Sequence, residues 1–282
     1  MLTIEQLKNI IYVDKVYNGL QHLNSRNYKG TTEVDLRTSE LRIFSQNGED
    51  GVLHALINAL NIEEFFFVEF GIGDGWSCNT RALAEVFDWG GVYFEINKTD
   101  YLKAKEKYIS SDKVSIFNQA ISRETVNAQF SEANVPHKFG VLSLDIDGQD
   151  YWVLEALAEQ YEPAIMVLEY NSSRASNDMQ VEIQDLDQQH VLSASWGASL
   201  GALSALAEKK GYELVHTEMA GVNAFFVRKE LLDKSNIHFK GVLSGRSPNY
   251  GLKGKNHPDE VLYGKNLEKT ERPTKKVTFT KS

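Results

Sequence analysis

Apolar positions change rhythm along the chain. Over residues 48–60 they recur at helical spacing, as Val52, Leu53, Leu56, Ile57 and Leu60, which predicts a helix with one buried face. Residues 1–40 alternate short helical patterns with polar stretches and read as an N-terminal cap. Further on come short, mostly apolar runs at 65–70, 91–96, 114–117, 141–144 and 164–168, separated by stretches of helical length. Strand, helix, strand repetition with mostly apolar strands predicts a mainly parallel sheet covered on both faces. Residues 212–217 and 224–228 form a last pair around a turn containing Gly221, and predict one antiparallel edge strand. The expectation is an α/β, Rossmann-like fold with a mostly parallel seven-stranded sheet, one antiparallel edge strand and helices on both faces. Its divisions are a helical cap over residues 1–44, a main domain over 45–232 and a lysine-rich extension over 233–282.

Composition narrows this picture in three places. The 282 residues suffice to bury one full core. The sole cysteine, Cys78, excludes an intrachain disulfide framework and fits a reducing compartment. No apolar run has the length of a membrane span, and no basic region followed by an apolar block opens the chain, so a cytoplasmic protein is expected. The formal charge of −9 argues against a nucleic-acid surface. Lysines cluster only in 253–281, which reads as a solvated end rather than a phosphate-binding arm. Oligomeric state is left open, a homodimer included.

The segment Val68-Glu69-Phe70-Gly71-Ile72-Gly73-Asp74-Gly75 follows a predicted strand and precedes a helical stretch near Asn79. Glycines there let the backbone turn sharply and let a ligand approach without a Cβ collision. In open α/β sheets this loop lies where ligands bind, outside the carboxyl ends of the strands. The dinucleotide fingerprint Gly-x-Gly-x-x-Gly is incomplete, because Trp76 occupies its third glycine position. Glu69, just before the loop, suits a cationic ligand better than a pyrophosphate, and S-adenosylmethionine carries a sulfonium and an ammonium. Glu95 closes the second strand, about 20 residues beyond the loop as a ribose-binding carboxylate should be. Asn118 and Gln119, closing the third, are candidates to read an adenine edge or are ordinary loop amides.

With these residues in view, the chain resembles the FkbM-type group of class I S-adenosylmethionine-dependent methyltransferases. The resemblance spans residues 45–228. It rests on Ser45-Gln46-Asn47-Gly48-Glu49-Asp50-Gly51, Phe67-Val68-Glu69-Phe70-Gly71-Ile72-Gly73-Asp74-Gly75, Leu144-Asp145-Ile146-Asp147-Gly148, Val167-Leu168-Glu169-Tyr170-Asn171, Gly197-Ala198-Ser199-Leu200 and Asn223-Ala224-Phe225-Phe226-Val227-Arg228. It implies methyl transfer from S-adenosylmethionine, usually to oxygen and often on sugars or natural products. Glu69, Gly71, Gly73 and Glu95 would bind the cofactor and Asp145 would lie near its methyl group. Gln46, Asp74, Ser77 and Asn79, beside the same motifs, complete the cofactor candidates. The acceptor is expected to be a small molecule or saccharide, and the resemblance does not identify it.

Alternation along the fourth and fifth strands would bring Asp145, Asp147, Glu169 and Asn171 into one cleft. Three readings stay open: a Mg²⁺ or other divalent-cation site orienting an acceptor hydroxyl, a metal-free general base drawn from Asp145, Asp147 and Asp150, or a structural cluster whose aspartate caps the next helix. His190, in a polar loop after the fifth strand, is a further candidate base. His54 reads as structural, and His216 as a strand-end residue able to face the cleft. Two other functions compete with methyl transfer. A nicotinamide-dependent oxidoreductase would share the glycine loop and Glu95, and a non-catalytic binding protein would share the whole fold.

Overall fold

The computed structural model describes residues 3–146, 148–183, 197–246 and 274–278. Its centre is a seven-stranded sheet. In chain order the strands are β2 (Phe66–Phe70), β3 (Gly90–Phe94), β4 (Val114–Phe117), β5 (Lys138–Leu144), β6 (Glu162–Glu169), β8 (Tyr212–Thr217) and β9 (Asn223–Arg228). They lie side by side as β4-β3-β2-β5-β6-β9-β8. All neighbours from β4 to β6 are parallel, while β9 runs against both β6 and β8, so the antiparallel character expected at that edge is present. The order reverses direction between β2 and β5, which makes the gap beyond their carboxyl ends the natural ligand crevice.

Side chains alternate across this sheet and build two cores. Val68, Phe70, Val92, Phe94, Leu142, Leu144, Met166 and Leu168 point to one face, where α5 (Val126–Glu132), α6 (Asp150–Ala156) and α7 (Leu200–Lys209) cover them. Phe67, Tyr93, Val141, Ile165 and Val167 point to the other, under α2 (Glu49–Leu60), α3 (Arg81–Glu85), α4 (Lys98–Lys107) and α8 (Lys229–Ser235). Several helix ends are signalled locally. Asn97 caps α4 by accepting from the N–H groups of Thr99 and Asp100, and Ser199 caps α7 by accepting from Ala202 N–H. Left-handed Asn61 ends α2.

The N-terminal region differs from its sequence reading. Instead of several short helical pieces it holds one helix, α1 (Ile4–Ser25), whose Leu23 packs with Ile43, Phe44 and Ala82. The chain then adds β1 (Glu33–Asp35), which pairs in parallel with β10 (His238–Lys240), and buries Val34 and Leu36 in the α2-side core. These three-residue strands carry no apolar run, so periodicity could not show them. The same holds for β7 (Gln180–Glu182), paired antiparallel with β11 (Thr274–Lys276). Among the described residues no helix is long and apolar enough to cross a membrane.

Candidate functional site

The glycine loop leaves β2 at Phe70 and folds over the switch in strand order. Gly71, Gly73 and Gly75 all adopt left-handed backbone, with φ of +74°, +56° and +76°. At Gly71 the demand is steric as well, since a Cβ would sit 1.8 Å from the Asp145 carbonyl oxygen. At Gly73 nothing lies within 4 Å of that position, so the backbone there stands bare. Gly71 N–H donates to the Phe94 carbonyl (3.0 Å) and Gly73 N–H to Glu95 Oε2 (2.8 Å), which ties the loop to the end of β3.

A cleft of about 400 Å³ opens beside it. Gly71, Gly73, Glu95, Gln119 and Asp145 line it, so five of the sequence-predicted cofactor residues meet here. Glu95 is 6% exposed and accepts one N–H on each oxygen, from Gly73 and from Asn97 (2.7 Å). A carboxylate has about four lone-pair sites, so two remain for a ligand's hydroxyls. Gln119 Nε2 donates to Glu132, an acceptor only, which fixes the amide's orientation; its Oε1 is buried with no partner among the described residues. The walls are apolar: Phe94, Ile96 and Ile121, with Phe70 stacked on Phe94 at 4.7 Å. Ile96, Ile121 and Gln149 were not among the sequence candidates, although apolar residues just past the carboxyl ends of β3 and β4 were a readable signal.

Glu69 does something other than meet a ligand. Its carboxylate is 2% exposed and accepts from Asn79 N–H (2.7 Å), Thr80 N–H (2.9 Å), Thr80 Oγ1 (2.6 Å) and Ser143 Oγ (3.4 Å). It therefore occupies the start of α3 from within the chain. Burial pushes its pKa up to about 7 against the pull of the Thr80 and Asn79 hydrogen bonds, with the Asp145 charge adding to the rise. Asn79 serves the same frame, its Nδ2 donating to Ser143 Oγ. Asp74 accepts from Trp76 N–H, and Asn118 Nδ2 donates to the carbonyls of Glu95 and Ile96. Ser77 is exposed. Gln46 lines a different cleft, with Arg42 and Met219. None of Gln46, Glu69, Asp74, Ser77, Asn79 and Asn118 lines the cofactor-sized cleft.

The acidic cluster is looser than strand alternation predicts, because β5 ends at Leu144 and Asp145 already lies beyond the pleat. Asp150, at the start of α6, is 2% exposed and accepts from Ile146 N–H and Gly148 N–H, both at 3.2 Å. It shapes the turn that carries Asp145, and burial followed by the Asp145 charge raises its pKa. The structural reading of the sequence had an aspartate capping the next helix; Asp150 instead holds the turn before α6, whose start has no side-chain cap. Asn171 Oδ1 accepts from Ser173 N–H, holding its own loop. Among the described residues no three Asp, Glu, His or Cys side chains gather as a metal site. Asp147 and His190 lie outside the described residues.

A second polar cluster was not anticipated. Asn223, which pairs with Glu169 at the edge of β6, donates its Nδ2 to Glu49 (2.9 Å). Glu218 accepts from the N–H groups of Ala220, Val222 and Asn223, and both glutamates are fully buried. Burial and the Glu49 charge raise the Glu218 pKa. His216, read as a strand-end residue able to face the cleft, is fully buried: Val242 N–H points at its Nδ1, so Nε2 carries the hydrogen given to Glu40 (2.9 Å). Cys78 is buried, which pushes its thiol far up and removes it as a nucleophile.

No protein-family model matches the sequence, and no curated protein does. Solved structures do resemble it. One is the CurJ carbon methyltransferase, at 11% identity and TM-score 0.41, covering 66% of this chain and 56% of that one. Another is the N-terminal domain of EvdMO1 with S-adenosylhomocysteine bound, at 17% and 0.42, covering 66% and 81%. A third is a methyltransferase from Aquifex aeolicus dependent on S-adenosylmethionine, at 10% and 0.35, covering 62% and 87%. The mostly parallel seven-stranded sheet described above is α/β and Rossmann-like in its own strand order.

Proposed function

We propose that the chain transfers a methyl group from S-adenosylmethionine to a hydroxyl of a polar, sugar-like acceptor, as the FkbM-type resemblance implies. The observation that carries this reading is the use made of Glu69. A nicotinamide dinucleotide needs free N–H groups at the helix start after the glycine loop to hold its pyrophosphate. Here the Asn79 and Thr80 N–H groups are already given to the buried Glu69 carboxylate and are not available to a pyrophosphate. A nucleoside carrying a cation has no such conflict.

The cleft's donor set fits that nucleoside. Glu95 takes the ribose hydroxyls on its two spare lone pairs, and the bare Gly73 backbone admits the sugar without a Cβ in the way. Gln119 Oε1, unpartnered among the described residues, accepts from the adenine amine while Ile96 and Ile121 cover its faces. When bound, the cofactor would supply an electrophilic methyl, with a neutral thioether as the leaving group. Asp145, lining the cleft at the end of β5, takes the proton released by the acceptor hydroxyl. Most of the acceleration comes from holding hydroxyl and methyl in line.

Calorimetric titration with S-adenosylhomocysteine and, separately, NADH tests the cofactor. Saturable micromolar binding of the first alone is expected. At a hundred times its Kd it should add about 2.7 kcal/mol of stability. Binding of NADH without S-adenosylhomocysteine would sink the proposal. Replacing Glu95 by Ala should weaken S-adenosylhomocysteine by tenfold or more while the melting temperature of the free protein falls only slightly.

A further inference from the structure

A second cleft, of about 520 Å³, lies at the opposite end of the sheet, near the amino ends of β2 and β3 and beside α2. It is within the size range of small-molecule sites, and its lining mixes aromatic and aliphatic side chains with amides, two cations, a carboxylate and an imidazole. Trp89 and Phe65 form one wall, with ring centroids 5.5 Å apart, and Phe65 is 58% exposed although aromatic. Phe87 and His54 form the other, 5.7 Å apart. His54 is 7% exposed, lines the cleft, and keeps a buried Nδ1 with no hydrogen-bond partner among the described residues. A buried polar atom left unpaired costs free energy, so it calls for a partner that the described chain does not supply.

Charge at this cleft is unbalanced. Arg26 and Lys29 both line it, and neither makes an ion pair among the described residues; Arg26 Nη1 donates only to Tyr28 OH (3.3 Å). Glu63 is the one carboxylate in the lining, and its Oε1 already accepts from Asn61 Nδ2. Burial and the nearby Arg26 charge push the His54 pKa down to about 4, so the imidazole is neutral at pH 7 and adds no positive charge of its own. Two cations against one carboxylate leave net positive charge beside the aromatic residues, which matches one kind of ligand.

We propose that this cleft binds an anionic small molecule bearing a flat apolar ring, with the ring between Trp89, Phe65 and Phe87 and the anion at Arg26 and Lys29. The site is separate from the cofactor cleft and does not depend on the methyl-transfer reading. The probe is 1-anilinonaphthalene-8-sulfonate, followed by its fluorescence against the full chain. One saturable site is expected, undisturbed by excess S-adenosylhomocysteine. The paired substitution Arg26→Gln and Lys29→Gln, at partly or fully exposed positions, should weaken it at least tenfold. Asn58→Trp, which fills the slot from α2, should abolish it with the thermal unfolding transition retained. The uncharged N-phenyl-1-naphthylamine should bind at least tenfold more weakly than the sulfonate. Equal dye affinity in the wild type and in both variants would place the dye elsewhere and overturn the proposal, as would displacement by S-adenosylhomocysteine.

Discussion

Single residues decide whether the loop over the switch point can form. Gly71 and Gly73 share a left-handed backbone and differ in what a side chain would meet. Gly71→Ala must move the β5–α6 backbone at Asp145, so loss of the folded transition or a hundredfold loss of S-adenosylhomocysteine affinity is expected. Gly73→Ala adds only the left-handed strain of about 1 kcal/mol, so it should stay folded and bind more weakly; equal damage from the two would show that sterics at Asp145 are not decisive. Glu69 sets a pH signature. Its folded pKa of about 7 lies above the ordinary 4.5, so between these values the folded state keeps a proton that the unfolded state has lost. Stability therefore falls as pH rises through that window and levels off above it. Relative to Glu69→Gln, the wild type should lose up to about 1.4 kcal/mol per pH unit between pH 5 and 7. Urea denaturation of both proteins at pH 5, 6, 7 and 8 measures this, and parallel curves would refute it.

At the scale of elements, what the sequence revealed follows from what is local. β2 to β6 were legible because each carries a short, mostly apolar run, and α2 because its apolar residues repeat at helical spacing. Gly71, Gly73, Glu95, Gln119 and Asp145 were legible because they sit at strand ends in such a sheet, and the structure gathers them in one cleft. Partners far apart in sequence were not legible. Glu69 reads as a ligand contact until Asn79, Thr80 and Ser143 are seen around it. Asp145 was placed on a pleat that stops at Leu144. Asp50 is another such case: its Oδ2 accepts from Ile43, Phe44 and Ser45 N–H and from Ser45 Oγ, at 2.7 to 2.9 Å, fastening the segment after β1 to the start of α2. Asp50→Ala would strand three buried donors at about 1–3 kcal/mol each. A loss of at least about 3 kcal/mol in chemical denaturation is expected, against less than about 1 kcal/mol for Asp100→Ala in its exposed pair with Lys103.

For the molecule as a whole, segments before α2 and after α8 join the central core. Val34 and Leu36 are buried with Val52, Phe67 and Phe225, under a strand contributed by residues beyond α8. Leu36→Ala should therefore cost about 2–5 kcal/mol, like any core truncation, and a value below 1 kcal/mol would mean that the N-terminal segment is only loosely attached. Pairing β1 with β10 also fixes the order of events during synthesis. The ribosome delivers Glu33–Asp35 about 200 residues before their partner strand, and contacts of such long separation form late. Until His238–Lys240 emerges, the early segment has no strand to lie against and keeps Val34 and Leu36 available to whatever holds nascent chains. A premature stop before residue 238 would leave the sheet's seven strands complete and that segment without its clasp.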